Sequence, residues 1–355
     1  MKLLRAMLRI RRSSTSNWLV KAAGGGLCVR LVLGGMLASA AMGQACLTGE
    51  DLEAPVRAKL EAAAAKYFDL AVKGDVAGLK ASAIPSVAGD FSGIAAAVRE
   101  NQPSFAKAQA VVRSTFELIA EGDAPLERAE FLCGVFGKTG QTSSSAEFVL
   151  NALPPGQYAI VILDVSNKAA PDDGPYAVAF VLQQAEADWK LGGFQVKDTR
   201  SAGRDSTWFA EQARAFAAKS EMHNAWYYFL QARNLATVVP FMSTRATDRL
   251  YDEAQRIAPA DGLDGVPKEL TWGGKSYKVK SAFAYGVAGE INLVVKFECP
   301  DVSDAARSVA ENQAVARALV TKWPELRDGF TAIEARATDA SGRDFGTLVM
   351  LKDLK

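Results

Sequence analysis

Histidine is nearly absent from this sequence, since the 355 residues include one, His223. A Ser-His-Asp or Cys-His catalytic arrangement would have to use this residue. His223 lies between two predicted helices, and that position favours a solvent-exposed turn over a catalytic role. One histidine and four scattered cysteines also provide no zinc-binding spacing.

Glycine-rich phosphate-binding motifs are missing as well. The sequence has neither the G-x-x-x-x-G-K-[ST] loop nor a G-x-G-x-x-G fingerprint. Two acidic turns, Asp172–Asp173 and Asp261 with Asp264, do not fit the calcium-loop spacing and are interpreted as solvated carboxylates. We therefore expect no cofactor, no metal and no catalytic residue, and the chain is predicted not to be an enzyme.

Acidic residues are absent from residues 1–45, which contain seven Lys and Arg. A short apolar run, LVLGGMLASAAMG, follows the basic segment and carries small residues at its end. This order is typical of a secretory signal peptide, and the run is too short to span a bilayer comfortably. Cleavage after Ala40 or Ala45 is predicted, which would place the mature protein in the periplasm or outside the cell.

Cleavage changes the charge of the chain. The 41 Lys and Arg less these seven leave 34 basic residues against 40 acidic ones, a formal charge of −6. A mildly acidic protein without a basic cluster is not expected to bind nucleic acid. The expected partner is another envelope protein.

Cys46 immediately follows one of the two cleavage sites and has three interpretations. It could carry a lipid, although a lipoprotein signal usually has Leu three residues earlier, where this chain has Gly43. It could form a disulfide with Cys133 or Cys299 in an oxidising compartment, and the pair Cys46 and Cys133 is the candidate. It could also remain a free thiol. A membrane is an expected partner only if Cys46 is lipidated.

Residues 51–105 show helical periodicity, whereas residues 115–198 read as consecutive strands separated by turns. The spacing predicts an antiparallel meander with QYAIVILDVS at its centre and a bulge at Gly192–Gly193. Helices followed by a curved sheet that ends in DWKLGGFQV resemble the nuclear-transport-factor-like, or ketosteroid-isomerase-like, cone fold over residues 50–198. The resemblance implies a pocket inside the sheet that could bind a small molecule, and its candidate lining residues are Asp164, Tyr158 and Tyr176.

Residues 203–260 are predicted to be helical again. Phe209, Ala213, Phe216, Ala225, Phe229 and Ala232 stand where the tetratricopeptide repeat has its packing residues, so residues 206–239 resemble one such unit. Trp226, Tyr227, Tyr228 and Phe229 are consecutive, and successive helix positions cannot all face one core. Trp226, Tyr227 and Tyr228 are therefore candidates either for burial against another domain or for contact with a partner protein.

Residues 266–355 predict a small α+β domain with the order β-β-β-α-β-β, in which Gly273–Gly274 form a hairpin turn. The predicted fold class is α+β, with a signal peptide (1–45), a cone-like domain (46–200), a helical hairpin with a third helix (203–260) and this last domain. The predicted function is a non-catalytic binding or scaffolding role in the bacterial envelope. The alternatives are a small-ligand binder or enzyme that uses the cone pocket, and a lipid-anchored subunit held through Cys46.

Overall fold

The computed structural model describes residues 44–134, 145–167, 169, 176–263 and 265–354. The predicted α+β class is confirmed. The predicted signal segment up to residue 43 and the acidic turn at Asp172–Asp173 lie outside the described residues, as does Asp264. Gln44 and Ala45, the last two residues of the predicted signal segment, belong to the first strand.

Four helices cover one side of the N-terminal part of the chain: α1 (Ala54–Val72), α2 (Val76–Ala81), α3 (Pro85–Ala88) and α4 (Ser92–Phe105). Helix α1 has proline in its first turn, where the missing N–H costs no helical hydrogen bond. Gly74 follows its end with a φ of +67°, a conformation that glycine adopts without strain. Leu60, Ala64 and Phe68 recur at helical spacing and are buried against the sheet.

The strands of the N-terminal part are β1 (Gln44–Thr48), β2 (Ala108–Ala120), β3 (Leu126–Cys133), β4 (Ala146–Leu153), β5 (Gly156–Asn167), β6 (Tyr176–Ala185) and β7 (Asp188–Asp198). They do not form one meander, because β2 pairs with β5 and the sheet has the order β1-β2-β5-β6-β7. Strands β3 and β4 form a second sheet with β10 (Met242–Thr244). The predicted bulge is present, because Gly192 is the extra residue between the pairs Val181–Gly193 and Leu182–Leu191.

Strand β5 is apolar on both faces because both faces are covered. Val161 and Leu163 pack against the helices, whereas Ile160 and Ile162 pack against the second sheet. The N-terminal part therefore has three layers, with the five-stranded sheet in the middle.

A short hairpin, β8 (Arg200–Ser201) and β9 (Arg204–Asp205), leads to the helices α5 (Ser206–Ala218), α6 (Met222–Ala236) and α7 (Arg245–Ile257). Helix α7 begins at a capping box in which Thr244 and Thr247 bond each other's backbone N–H groups.

The C-terminal part has the predicted order of elements: β11 (Lys268–Trp272), β12 (Lys275–Val287), β13 (Glu290–Glu298), α8 (Ala305–Lys322), the short α9 (Leu326–Gly329), β14 (Ala332–Thr338) and β15 (Asp344–Met350). A 3-10 turn spans Leu351–Asp353. Sheet order follows chain order, and only the pair β13 and β14, which α8 connects, is parallel. Gly273 and Gly274 both have positive φ, which suits the two-residue turn between β11 and β12.

One hydrophobic core extends from helix α5 to the last strands. It contains Phe209 and Tyr228 from the helical hairpin together with Val295, Leu319 and Ile333 from the C-terminal part. The linker at residues 259–267 therefore does not separate two cores. Leu263 in that linker accepts a hydrogen bond from the N–H of Ala282, at 3.3 Å.

Strand β12 contains one extra residue, Lys280, between the pairs Val279–Phe297 and Ser281–Lys296. The bulge shifts the alternation of the strand, so that Ala282 and Ala284 face the core. The larger Phe283 and Tyr285 face outward and remain 39% and 50% exposed.

Candidate functional site

The three residues predicted to line a cone pocket do not meet. Asp164 is exposed at the end of β5, where it pairs with Arg113, whose Nε lies 2.8 Å from Oδ1. Tyr158 packs with the second sheet and donates its hydroxyl hydrogen to the carbonyl oxygen of Pro154 at 2.7 Å. Tyr176 packs on the opposite, helical side. Tyr158 and Tyr176 lie on opposite faces of the sheet and Asp164 is exposed, so the three residues do not line one pocket and this prediction was wrong.

The space between the helices and the sheet is filled by large side chains. Tyr67, Phe68, Phe105 and Phe180 are all buried there, with ring centroids 5.4 Å apart for Phe68 and Phe105. On the other face, a cavity of about 20 Å³ lined mostly by apolar residues such as Leu118 and Leu150 is too small for a ligand. Burial of Tyr158 near this cavity raises the pKa of its hydroxyl to about 12.

The aromatic run in α6 is not an exposed contact patch. Trp226, Tyr227 and Tyr228 are each less than 5% exposed. Helix α6 lies between other helices and the C-terminal sheet, so its sides are covered in several directions. Tyr228 donates its hydroxyl hydrogen to the carbonyl oxygen of Gly329, and burial raises the pKa of this tyrosine. The candidate contact with a partner protein is therefore wrong, and these residues join two parts of the same chain.

A disulfide joins Cys46 in β1 to Cys133 at the end of β3, with the Cα atoms 4.8 Å apart. The bond connects an edge strand of the five-stranded sheet to the second sheet. Next to it, the side-chain oxygen of Gln44 accepts a hydrogen bond from the N–H of Glu130 at 2.8 Å. Cys299 is a free, buried thiol.

His223 is buried rather than exposed, and its ring lies between two carboxylates. Nδ1 is 2.7 Å from Oε1 of Glu325, and Nε2 is 2.9 Å from Oδ1 of Asp261. The ring also stacks on Trp323, with centroids 4.2 Å apart. Because a neutral imidazole has one N–H, both contacts are hydrogen bonds only when the ring is protonated. Each ring nitrogen contacts a carboxylate, so His223 connects helix α6 to the segment that contains Asp261 and to the segment that contains Glu325.

Asp261 is the centre of that cluster: it lies in a turn with its side chain 43% exposed, and it is bonded to several side chains as well as to solvent. It accepts hydrogen bonds from Trp323 at 2.9 Å and from Lys322 at 3.0 Å, in addition to His223. Burial raises the pKa of Asp261, but the hydrogen bonds from these three donors outweigh it and hold the pKa well below its usual range.

A ligand-sized groove of about 550 Å³ lies at one end of the C-terminal sheet. We call it the C-terminal groove. It lies between the β11–β12 hairpin, the segment after β13 and the turn after β14, with Glu311 contributed by α8. Its lining residues include Glu269, Lys275, Tyr277, Lys278, Lys280, Phe297, Glu298, Cys299 and Asp339.

Tyr277, Lys275 and Glu311 form the helix side of the groove. The Tyr277 hydroxyl donates a hydrogen bond to Glu311, and Lys275 forms an ion pair with the same carboxylate. Burial and Glu311 together raise the pKa of Tyr277 to about 12. Burial alone would raise the pKa of Glu311, but Lys275 and Tyr277 outweigh it and lower that pKa. Glu311 is therefore a charged carboxylate whose side chain is only 14% exposed.

No sequence motif marks this groove. Of its lining residues, only Cys299 was a candidate, as a disulfide partner, and the charged segment KSYKVK at residues 275–280 matches no known binding motif. Alternating lysines on a strand were the available signal, but the acidic side chains that face them come from β11, β13 and α8. Within the described residues, no group of His, Cys, Asp and Glu is arranged to hold a metal ion.

Comparison of this chain with protein-family models, curated proteins and solved structures finds no match. The resemblances to the cone fold and to the tetratricopeptide repeat remain predictions. Among the helices of the described residues, none combines the length and the apolar composition that a membrane span requires.

Proposed function

We propose that this chain is an exported protein of the bacterial envelope that binds a ligand or partner and does not catalyse a reaction. The C-terminal groove carries the binding role, because it is a ligand-sized space with converging charged side chains. The region where the cone-fold resemblance implies a pocket is filled by Tyr67, Phe105 and Phe180. Its expected carboxylate, Asp164, is exposed and paired with Arg113. These observations count against both a catalytic site and a small-molecule pocket in the N-terminal part.

The export signal at the start of the sequence and the Cys46–Cys133 disulfide support the same compartment, because disulfides persist in oxidising environments. Cleavage after Ala40 fits β1 better than cleavage after Ala45. The second site would remove Gln44 and Ala45, which pair with Ala120 and Ile119. The disulfide also uses the sulfur atom that a lipid anchor on Cys46 would need, so we favour a mature chain without that anchor.

The test is the intact mass of the protein purified from its native host, before and after reduction and alkylation. We expect a chain that begins at Ala41, with two thiols that react only after reduction. A chain that retains residues 1–40 and has freely reactive Cys46 and Cys133 would overturn the export proposal. Added acyl mass on Cys46 would replace it with the lipid-anchored alternative.

A further inference from the structure

Charges of both signs alternate around the rim of the C-terminal groove. The Nζ atoms of Lys278 and Lys280 lie 3.2 Å and 3.7 Å from the same oxygen of Glu298. Two ammonium groups therefore share one carboxylate, and all three side chains are more than 40% exposed. Glu269 stands opposite Lys278 on the neighbouring strand β11.

Glu269 and Lys280 are the rim groups that are most available to a ligand. Glu269 accepts a hydrogen bond from the Ser276 hydroxyl, and among the described residues it forms no ion pair within 4.0 Å. Lys280 has the longer of the two contacts with Glu298. By contrast, Glu311 already has Lys275, and Asp339 already has Arg343, whose guanidinium lies 2.7 Å away.

Because the groove contains both lysine and glutamate side chains, a ligand that carries only positive or only negative charge is repelled by part of the rim. A phosphate or nucleotide placed in the groove would lie near Glu269 and Glu298 as well as the lysines, and like charges repel at such distances. A polyamine would meet Lys278 and Lys280 in the same way. A ligand with one ammonium and one carboxylate can satisfy both signs at once.

The floor of the groove is apolar and suits a small side chain. The rings of Tyr277 and Phe297 meet edge to face beneath it, with centroids 5.8 Å apart, and are themselves buried, whereas Pro300 and Ala340 are exposed and supply the apolar surface. A volume of about 550 Å³ lies within the usual range of small-molecule sites, roughly 300–1,000 Å³. The floor therefore contributes apolar contact, whereas the rim orients the ligand.

From this geometry we infer that the C-terminal groove binds a zwitterionic amino acid or short peptide, with its ammonium on Glu269 and its carboxylate on Lys280. The inference rests on the binding role proposed above and names the ligand class. A free amino acid and a peptide share this chemistry, and their relative affinities report which of them the groove accepts.

The experiment titrates the full mature chain with alanine, dialanine and trialanine and follows binding by calorimetry and by ligand-observed NMR. N-acetyl-dialanine and dialanine amide each lack one of the two charges. We expect at least one of the three zwitterions to bind, and each blocked dialanine to bind about fivefold more weakly than dialanine, which corresponds to one exposed charge pair.

Two rim variants assign the charges. Glu269→Gln should lower the affinity for dialanine about fivefold and leave that for N-acetyl-dialanine unchanged, because the blocked ligand has no ammonium to lose. Lys280→Met should also lower the affinity for dialanine about fivefold, and it should leave the affinity for dialanine amide unchanged, because that ligand has no carboxylate. Both side chains lie on the surface, so the fold should tolerate these changes. Lys190→Met, on β7 and 38% exposed in its side chain, is the matched control and should bind like the wild type.

Failure of all three zwitterions to bind at millimolar concentration would overturn the inference, as would equal binding of blocked and unblocked dialanine. Neither result bears on export, which the intact mass tests separately. Hydrolysis of trialanine by the chain, abolished by Glu269→Gln, would support the site while overturning the non-catalytic part of the proposed function.

Discussion

The Nε2 atom of His223 lies 2.9 Å from Oδ1 of Asp261, 38 positions further along the chain. The contact joins the first turn of α6 to the linker before β11. Glu325, on the opposite side of the ring, adds the segment that follows α8. One side chain thus connects the helical hairpin to the C-terminal part through contacts with two carboxylates and a stacked indole.

Replacing His223 should destabilise the protein. His223→Gln carries both of its N–H donors on one nitrogen atom, whereas the two carboxylates lie at different ring nitrogens of His223. The variant also loses the stacking on Trp323, so we expect the free energy of unfolding to fall by about 1–3 kcal/mol. Urea denaturation followed by tryptophan fluorescence measures the change. Lys322→Met is the control, because it removes a more exposed contact with Asp261 and should cost less than about 1 kcal/mol. Equal losses in the two variants would contradict a special role for His223.

Acid should weaken the turn between β14 and β15. The Ser341 and Arg343 side chains and the backbone N–H groups of both residues donate to Asp339, which lowers its pKa to about 2. Since an unfolded aspartate has a pKa of about 3.9, this group stabilises the fold above that pH and the stability is lost as the pH falls towards 2. The melting temperatures of wild type and Asp339→Asn should therefore differ at pH 6 and converge near pH 2. A constant difference would contradict the linkage.

Removal of the disulfide should lower stability substantially. The bond closes a loop with a sequence separation of 87, for which loss typically costs about 2–5 kcal/mol. We expect Cys46→Ala/Cys133→Ala to unfold at lower denaturant concentration and to be insensitive to reductant. Cys299→Ala should keep the wild-type response to reductant. A wild-type protein whose unfolding midpoint ignores reductant would contradict this prediction.

Gly286 is a close-contact position between β12 and the β8–β9 hairpin. A Cβ atom there would lie 2.2 Å from the backbone nitrogen of Ala202, so either the strand or the hairpin must move. Gly286→Ala should cost about 1–3 kcal/mol through overpacking. Gly93→Ala is the matched control, because its Cβ meets nothing within 4 Å and the site is helical. That variant should gain about 0.5–1 kcal/mol, and thermal melting of the two variants should move in opposite directions.

Local patterns predicted the elements whose signals lie within one segment. The helical periodicity of residues 51–105 predicted α1, and the paired glycines at 273–274 predicted the first C-terminal hairpin. The same patterns could not predict that β3 and β4 leave the main sheet, because strand pairing depends on which faces are covered elsewhere in the chain. Nor does the sequence mark Lys280 as an extra residue, since the alternation on either side of it is regular.

The His223 cluster and the C-terminal groove were also hard to predict, because their residues come from distant parts of the sequence. His223 has no local signal of burial, and its partners are 38 and 102 positions away. The C-terminal groove likewise combines charges from three strands and a helix. Sequence reasoning placed Asp164, Tyr158 and Tyr176 on nearby strands, but they point to different sides of the sheet or to its exposed end.

The continuous core between the helical hairpin and the C-terminal sheet has a consequence for how the chain can be divided. Phe209 and Tyr228 from the helical hairpin pack in one hydrophobic core with Leu319 and Ile333 from the C-terminal part. The residues between α7 and β11 therefore connect two parts of the chain that already pack against each other. A protease cut in that linker should yield two fragments that stay associated under native conditions and recombine after dilution from denaturant. We expect neither fragment to fold on its own when it is moved into another protein. Together, the two fragments should form one folded protein by fragment complementation.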